Sequence, residues 1–486
     1  MARYTKDVEL EPFPRELLDE AVRTLMDAAA DVPVSERGIE FGDEVLDTVR
    51  LVEGRHLAPG ARYRIETGEG VADVGIAAWN KVGESRIDVT VESGGHSVDL
   101  QVVLRMAGTR LHTVRVTGGY QGPKPFRGLR RAKWEGELLA EEWWSPAGAK
   151  ASSPLSLRVV HPFAGAGVRM ARRKDRRGRW VVRIAARYGG RSLLRPVAAV
   201  GLAVMRGRLR PALEKGIADV ASQWNAVVPD AAKHGIRERL EFEHRVELPA
   251  MSREWAEAYV AALHRGITES PLKRDRLAKK SDKDSKVRLL KGKHAEPGSR
   301  YRVLLGPDDE VDPLDVSVTA WEFDGRNRIE FSSPDAVQKG WVEVDSARRP
   351  TLARAALTGE VEGFTQVDCE AELDLGRWWA GTGEDAALTA TASNPLGTAD
   401  LAVRRVPTAD GDWTAHITAG VEGRGWTRRL VAAGGLLAAI PMGYSFRLGA
   451  DGAALNWYGL VAETKETSPQ DAADATLRKL FGPTTG

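Results

Sequence analysis

One stretch of this chain occurs twice. Val49 to Ile65 reads VRLVEGRHLAPGARYRI, and Val287 to Val303 reads VRLLKGKHAEPGSRYRV, at an offset of 238 residues (287 minus 49). This period is far longer than the roughly 20–50 residues of a stacked solenoid repeat. We therefore predict two homologous domains, at residues 1–236 and 237–486.

The correspondence extends well beyond this repeated stretch. Several residues of the first copy have a counterpart in the second: Trp79 corresponds to Trp321, Arg86 to Arg328, Trp143-Trp144 to Trp378-Trp379, and Trp180 to Trp413. It weakens only near the C-terminus. There, Pro441 and the glycines after it are expected to break a helix, because neither residue suits a helix interior.

Composition excludes several classes of function. Hydrophobic residues make up 42% of the 486 residues, which is enough for two or three cores. The 70 basic and 68 acidic residues nearly balance, so no global field favours nucleic acid or an anionic membrane. Cys369 is the single cysteine, the N-terminus has no apolar signal region, and no apolar run reaches the roughly 20 residues of a membrane span. We predict a cytoplasmic protein without a transmembrane segment.

Apolar and polar residues alternate along several consecutive segments of the first copy. Ile87, Val89 and Val91 alternate with charged or polar neighbours, and the residues from Val98 to Met106 do the same. A period of two residues with one apolar face is typical of an antiparallel sheet. Short turns between the segments predict a meander.

Segments with helical periodicity lie before and after this meander. Apolar residues recur every three or four positions from Leu17 to Leu25, and again from Leu209 to Val228, which predicts an opening helix and a long closing helix. In the second copy we predict a strand at Ala454 to Ala462 and a short helix at Pro469 to Phe481, capped by Ser468. The fold class is therefore α+β, with each copy a curved antiparallel sheet wrapped around a long helix.

The repeated stretch resembles the early strands of the START-type helix-grip superfamily, which includes polyketide cyclases and lipid-transfer domains. The resemblance lies in Val49 to Ile65 with its Pro-Gly turn, the Ala78-Trp79 strand and the strand opening at Arg86-Ile87, and in the second copies of all three. It implies a cavity between sheet and helix that holds an apolar or amphipathic molecule. Tandem tubular lipid-binding domains are the structural alternative.

Six residues are candidates for contacts with such a ligand. Trp79, Trp144, Trp321 and Trp379 recur in both copies, and each serves either as core or as a platform for the ligand. Glu142 and Arg377 occupy equivalent places, and the alternation of a strand would put each charge on an apolar face. Such a charge must form an ion pair or be hydrated by water. Either the two border ligand cavities, or they lie at strand ends in water.

Catalysis has weaker signals. Glu142 and Tyr63 are the candidates for acid–base work, whereas His56 and His294, each just before the Pro-Gly turn, suit turn capping or catalysis. Basic runs at Arg127 to Lys133 and Arg169 to Arg179 suit phosphate binding or a solvated hairpin tip. No metal-ligand spacing and no cofactor-binding motif is present, so we predict neither a metal nor a cofactor.

Three functions are consistent with these features. The first is binding or transport of a lipid-like or polyketide-like small molecule in internal cavities. The second is an enzyme of the cyclase or aromatase kind, in which a cavity shapes a reactive chain. The third is a scaffold whose sheets and charged loops form interfaces. The identity of the ligand, the oligomeric state and the pathway do not follow from the sequence.

Overall fold

The computed structural model describes residues 2–481, apart from 42–43, 68–69, 124–130, 146–152, 175–178, 191–194, 274–275, 278–286, 305–312, 334–338, 361–365, 382–383 and 409–410. The chain divides into two units. Unit 1 comprises Met1–Leu240 with Gly423–Tyr444, and unit 2 comprises Glu241–Glu422 with Ser445–Gly486. The predicted homologous domains 1–236 and 237–486 stay a prediction.

Strands dominate the first half of the chain. Its elements, in chain order, are β1 (Ala2–Leu10), α1 (Arg15–Ala30), β2 (Ile39–Phe41), β3 (Glu44–Leu46), β4 (Val49–Glu53), β5 (Arg62–Thr67), β6 (Gly70–Ala78), β7 (Glu84–Ser93), β8 (His96–Ala107), β9 (Arg110–Gln121), β10 (Arg131–Leu139), α2 (Ala140–Trp144), β11 (Leu155–Val160), β12 (Ala164–Lys174), β13 (Trp180–Gly190) and α3 (Arg195–His234).

The second half repeats much of this order. Its elements are β14 (Arg239–Leu248), α4 (Arg253–Thr268), β15 (Leu272–Lys273), β16 (Arg276–Leu277), β17 (Val287–Lys291), β18 (Arg300–Val303), β19 (Leu314–Trp321), β20 (Asn327–Ser332), β21 (Lys339–Val344), β22 (Leu352–Glu360), β23 (Gln366–Asp374), α5 (Leu375–Ala380), β24 (Leu388–Asn394), β25 (Gly397–Pro407), β26 (Trp413–Gly423), α6 (Thr427–Glu466) and α7 (Pro469–Phe481).

Two large sheets hold these strands. The first has 11 strands in the order β1-β13-β12-β11-β10-β9-β8-β7-β6-β5-β4, and the second has 13, in the order β14-β26-β25-β24-β23-β22-β21-β20-β19-β18-β17-β16-β15. From β4 to β13, consecutive strands pair in antiparallel ladders. The antiparallel meander predicted from the alternation is therefore confirmed.

The register of the strands shows which side chains share one face of the first sheet. Asp88 lies opposite Gln101, which lies opposite Thr117 on the next strand. The same row continues to Glu135 and Arg158. Because side chains of successive residues point to opposite faces, this row defines the polar face of the first sheet.

The apolar face carries the cores. Val22 and Met26 of α1 pack with Met106, Leu111 and Ala140. A second core contains Trp143, Trp180 and Val182, with Trp224 of α3 packed against it.

The predicted sheet wrapped around a long helix is wrong. The main strand contacts of α3 are with β1 and β13, at one end of the strand order. An 11-stranded sheet spans roughly 48 Å across its strands, at about 4.8 Å per spacing, whereas a helix is only about 10–12 Å wide. The sheet is thus far wider than one helix can cover. The second sheet, at 13 strands, is wider still.

The C-terminal segment also differs from its prediction. A single helix, α6, runs through Pro441 and the residues predicted to be a strand. In unit 2, this helix contributes to one hydrophobic core through Ala450, Ala454, Trp457 and Val461. Their spacing of three and four residues gives a helix one apolar face, and this packing outweighs the low helix propensity of the glycines. The short helix after Ser468 is confirmed, with the Ser468 hydroxyl accepting from the Asp471 amide at 3.2 Å.

Across the described residues, the helices lack the length of apolar sequence that a membrane crossing requires.

Candidate functional site

The predicted ligand residues Trp79 and Trp321 lie beside the opening helices of the two copies. Trp79 is partly buried and packs on the clusters around Met106 and around Tyr63. Trp321 stacks on His264 of α4 and donates from its indole nitrogen to the Thr268 hydroxyl at 2.9 Å. Both indoles therefore contribute to cores.

Trp144 and Trp379 belong to two equivalent clusters of indole rings. The ring of Trp144 lies 6.1 Å from that of Trp180, and the ring of Trp379 lies 5.6 Å from that of Trp413, both at steep interplanar angles. The Trp144 indole also donates to the Phe13 carbonyl at 2.8 Å. Each cluster packs edge to face, a favourable geometry for aromatic rings.

An arginine lies over each indole cluster. The guanidinium carbon of Arg172 lies 4.9 Å from the Trp180 ring centroid, and Arg172 donates to the Ser145 carbonyl at 2.7 Å. The guanidinium carbon of Arg405 lies 4.5 Å from the Trp413 centroid, and Arg405 donates to the Trp379 carbonyl at 2.7 Å. Burial lowers the pKa of both arginines. These carbonyls end the short helices α2 and α5, so each cation binds a helix C-terminus.

Glu142 and Arg377 lie on these short helices. The strand predicted to carry Glu142 ends at Leu139, and α2 begins at Ala140, so the inference that Glu142 shares the apolar strand face is wrong. Glu142 is partly buried. Arg377 is largely exposed and forms an ion pair with Asp374 at 3.1 Å. Among the described residues, neither Glu142 nor Arg377 lines either of the two grooves found on the first sheet.

Tyr63, the other catalytic candidate, forms a hydrogen bond with His56. The Tyr63 hydroxyl lies 2.9 Å from Nδ1 of His56, and Nε2 of His56 lies 3.0 Å from the Ala29 carbonyl in the last turn of α1. A carbonyl oxygen only accepts, so Nε2 carries the hydrogen and Nδ1 of the neutral ring accepts from Tyr63. The hydroxyl in turn accepts from the Leu57 amide at 2.6 Å. Burial raises the pKa of Tyr63.

The second copy repeats this arrangement atom for atom. Nδ1 of His294 lies 2.9 Å from the Tyr301 hydroxyl, and Nε2 lies 2.7 Å from the Ile267 carbonyl at the end of α4. The Ala295 amide donates to the Tyr301 hydroxyl at 2.7 Å. Both histidines therefore fix a helix end to the turn of the repeated stretch. Whether Tyr63 or Glu142 does acid–base chemistry stays a prediction.

A groove on the polar face of the first sheet provides a site of the size a ligand needs. Its volume is about 1130 Å³, slightly above the roughly 300–1,000 Å³ that is typical of small-molecule sites. The groove crosses strands β7 to β11, and its lining includes Asp88, Leu100, Gly119, Lys133 and Trp134. None of the six predicted ligand residues lines it.

Glycines leave space over the centre of the groove. Gly118 and Gly119 on β9 both line it. A methyl group added at Gly119 would come no closer than 3.8 Å to a neighbouring atom, the Ala132 carbonyl oxygen. Gly119 lies opposite Asp99 on one side and Lys133 on the other. The side chains of those two rows therefore have open space between them.

Most charges on the β7–β9 side of the groove have partners. Asp88 accepts from the Gln101 amide at 2.7 Å, and Asp99 accepts from the Thr90 hydroxyl at 3.1 Å. Arg115 pairs with Glu135, and this carboxylate raises the pKa of Arg115. The polar lining is thus preorganised by hydrogen bonds between adjacent strands.

A smaller groove adjoins the first. Its volume is about 550 Å³, and Asp88 and Thr90 line both grooves. Its lining also includes Arg64, which donates to Asp73 at 3.0 Å; this carboxylate raises the pKa of Arg64. The two together form a polar channel from β4 to β11.

The sequence carried a signal for the polar face but not for the groove. Alternation identified Asp88, Thr90, Asp99 and Gln101 as residues of the solvated face. Whether such a face is flat or grooved depends on how the strands twist and coil, and alternation does not report that. The described residues contain no group of three or more metal-ligating side chains placed to hold an ion.

Comparison with known proteins yields matches only among solved structures. No family model and no curated protein matches the sequence. The chain is similar to the di-domain ARO/CYC StfQ from the steffimycin biosynthetic pathway, with 9% identity, coverage of 96% of this chain and 99% of that one, and a TM-score of 0.16. It is also similar to DynU16 of the dynemicin biosynthetic locus, with 10% identity, coverage of 90% and 97%, and a TM-score of 0.11. At this level the matches assign neither a fold nor an activity.

Proposed function

We propose that this protein binds an amphipathic small molecule, and that the groove across β7–β11 of the first sheet is the binding site. The groove volume of about 1130 Å³ carries the proposal. A drug-sized or lipid-sized molecule fits a site of this volume. The ligand would lie along the polar channel on the sheet surface rather than in an internal cavity.

The lining suits a molecule with both apolar and polar parts. Val160, whose side chain lies on the same face as that of Lys133, supplies apolar surface. Thr117 and the carboxylates of Asp88 and Asp99 supply hydrogen-bonding groups that can fix the orientation of a ligand. Sites of this kind are mostly apolar with a few placed polar groups.

Rigid strands hold most of these groups. The lining positions, Gly118 and Gly119 included, lie in continuous antiparallel ladders. A preformed site loses less conformational freedom when a ligand binds. The geometry therefore favours binding without a large rearrangement.

The direct test is native mass spectrometry of the purified protein, in search of a retained small molecule. Gly119→Trp places an indole in the open centre of the groove and is expected to abolish retention. The control is Thr358→Trp, at the equivalent position of the second sheet, which leaves the groove unchanged. Circular dichroism and a urea midpoint check that each variant folds. Equal retention by wild type and Gly119→Trp would exclude the groove as the site.

A further inference from the structure

We infer that the β10–β11 side of this groove is an anion subsite, which binds the acidic head group of the ligand; this rests on the proposed function. Arg131 and Lys133 on β10 and Arg158 on β11 all line the groove. All three side chains are exposed, and none forms an ion pair with another residue in the part of the chain that the structure describes. Part of the basic run Arg127 to Lys133, residues 127–130, lies outside the described residues.

Lys133 and Arg158 are diagonal neighbours on adjacent strands, and Arg131 lies beyond Lys133 on the same strand. Arg131 and Lys133 are two residues apart, so they share one face of β10. Lys133 lies opposite Val160, and Arg158 lies opposite Glu135, one row further along the same two strands. Glu135 is held by Arg115 from the other side. Like charges at this range repel one another, and a bound anion would relieve that repulsion.

The second sheet shows that the fold does not require these cations. β23 and β24 form the same ladder as β10 and β11: Glu370 lies opposite Thr391 there, as Glu135 lies opposite Arg158. Counting along β23 from Glu370 places Asp368 at the position of Lys133 and Gln366 at that of Arg131. The second copy therefore has one acid and two neutral residues where the first has three bases.

The partners of Asp368 confirm that this position is compatible with a carboxylate. Asp368 accepts from the Thr358 hydroxyl at 2.8 Å, and Thr358 stands where the first sheet has Gly119. The first copy thus combines two changes at the groove centre: a glycine in place of a polar side chain, and a lysine in place of a carboxylate. Together they open space and supply positive charge at one place.

The chemistry of the three side chains defines the ligand class. Guanidinium groups bind carboxylate, sulfonate and phosphate oxygens through two parallel hydrogen bonds, and an ammonium adds a mobile point charge. The partnered acids Asp88 and Asp99 line the opposite side of the groove and would repel a second anionic group. We therefore expect a molecule with one acidic end.

Two fluorescent probes that share a ring system test this subsite. 8-Anilino-1-naphthalenesulfonate carries one anionic group, and N-phenyl-1-naphthylamine lacks it. The double variant Lys133→Asp with Arg158→Thr copies the second sheet, and is expected to weaken binding of the sulfonate by about tenfold or more, the effect of losing charge-assisted hydrogen bonds. Binding of the neutral probe is expected to stay within about twofold.

A matched control separates local contact from overall charge. Arg187→Asp with Arg169→Thr makes the same change in charge at two exposed arginines of the same sheet, outside the groove lining. This control is expected to leave sulfonate binding unchanged. An equal loss in the control would overturn the subsite, because a long-range field would then explain the effect.

The remaining outcomes distinguish the subsite from the proposed function. If both probes bind wild type, Gly119→Trp abolishes both, and the double variant changes neither, the anion subsite is wrong while the binding groove stands. If neither probe binds wild type, or Gly119→Trp leaves both unchanged, the proposed groove fails and the subsite fails with it.

Discussion

The imidazole ring of His264 stacks on the indole ring of Trp321, with centroids 4.5 Å apart and planes 13° apart. Phe323 packs against the same imidazole at a steep angle. Burial lowers the pKa of His264 from its ordinary value, and the nearby Asn327 side chain offsets part of that effect. The first copy has Met26 at this position, in the core on which Trp79 packs.

This arrangement predicts that stability falls in mild acid. The folded-state pKa of His264 lies below its ordinary value of 6.5, so between the two values the unfolded chain binds more protons than the folded one. The stabilisation is complete above pH 6.5 and is lost as the pH falls through 6.5 towards the folded-state pKa. Urea midpoints measured between about pH 8 and pH 5 are expected to decline.

The variant His264→Met copies the first unit and isolates this contribution. It removes the titrating group while keeping an apolar side chain against Trp321. The difference in unfolding free energy between wild type and His264→Met is expected to shrink or reverse as the pH falls below about 6.5. A pH-independent difference would show that His264 does not cause the decline.

A second prediction concerns the hydrogen bonds of Tyr63. Tyr63→Phe removes the hydroxyl that joins Nδ1 of His56 to the Leu57 amide. The amide is then left without that acceptor, which costs about 1–3 kcal/mol. Chemical denaturation of the variant gives this value directly, and Tyr301→Phe is expected to lose a similar amount because its contacts are equivalent.

The control for this prediction is an exposed pair of the same chemistry. The Tyr120 hydroxyl lies 2.7 Å from Nδ1 of His96 at the surface. Water replaces a lost partner there, so Tyr120→Phe is expected to change stability by less than about 0.5 kcal/mol. Equal losses in Tyr63→Phe and Tyr120→Phe would mean that burial of the Tyr63 hydroxyl contributes nothing.

The repeated stretch shows what the sequence could predict. Duplication showed that His56 recurs as His294, and alternation predicted the antiparallel meander. Neither signal revealed that His56 reaches back to the end of α1, because the Ala29 carbonyl is 27 residues away along the chain. Long-range partners of this kind depend on how the helix docks on the sheet.

The helix prediction failed for a related reason. A long amphipathic segment after a sheet suggested a helix enclosed by strands, but the number of strands is set by additional hairpins such as β11–β12. With 11 strands, the first sheet is too wide to close around α3. Local propensity also misjudged α6, where Ala450, Ala454 and Val461 supply packing that the glycines alone would not predict.

A third prediction concerns the arginine over the second indole cluster. Arg405 bridges the Trp379 carbonyl and the face of Trp413, and Gly381, in the left-handed region at φ 64°, packs closely against its guanidinium. A lysine lacks the planar fork and is more strongly hydrated. Arg405→Lys is therefore expected to destabilise unit 2 by about 1–3 kcal/mol, measured by urea denaturation.

Arg404 provides the matched control for this substitution. It is the neighbouring residue on β25, and its side chain reaches His416 at 3.3 Å rather than a helix end. Arg404→Lys is expected to change stability by less than about 0.5 kcal/mol. If Arg405→Lys is no more costly than Arg404→Lys, the contact with the helix C-terminus and the indole is not stabilising.

The last prediction concerns one pair of facing positions whose residues differ in size between the two sheets. Gly118 lies opposite Trp134 in the first sheet, and Leu357 lies opposite Cys369 at the equivalent place in the second. A methyl group added at Gly118 would lie 2.5 Å from the Trp134 indole, closer than real contacts allow. Gly118→Ala is therefore expected to cost about 1–3 kcal/mol by overpacking, whereas Gly119→Ala, which meets only a carbonyl at 3.8 Å, is expected to be tolerated.

Exchanging both residues tests whether the pair compensates. Gly118→Leu alone is expected to destabilise unit 1 more than Gly118→Ala, because the added side chain competes with the indole for one space. Gly118→Leu with Trp134→Cys reproduces the second sheet and is expected to recover at least half of that loss, because total volume is then roughly restored. A double-mutant cycle in urea measures the coupling. Additive losses would show that the two positions do not share one volume.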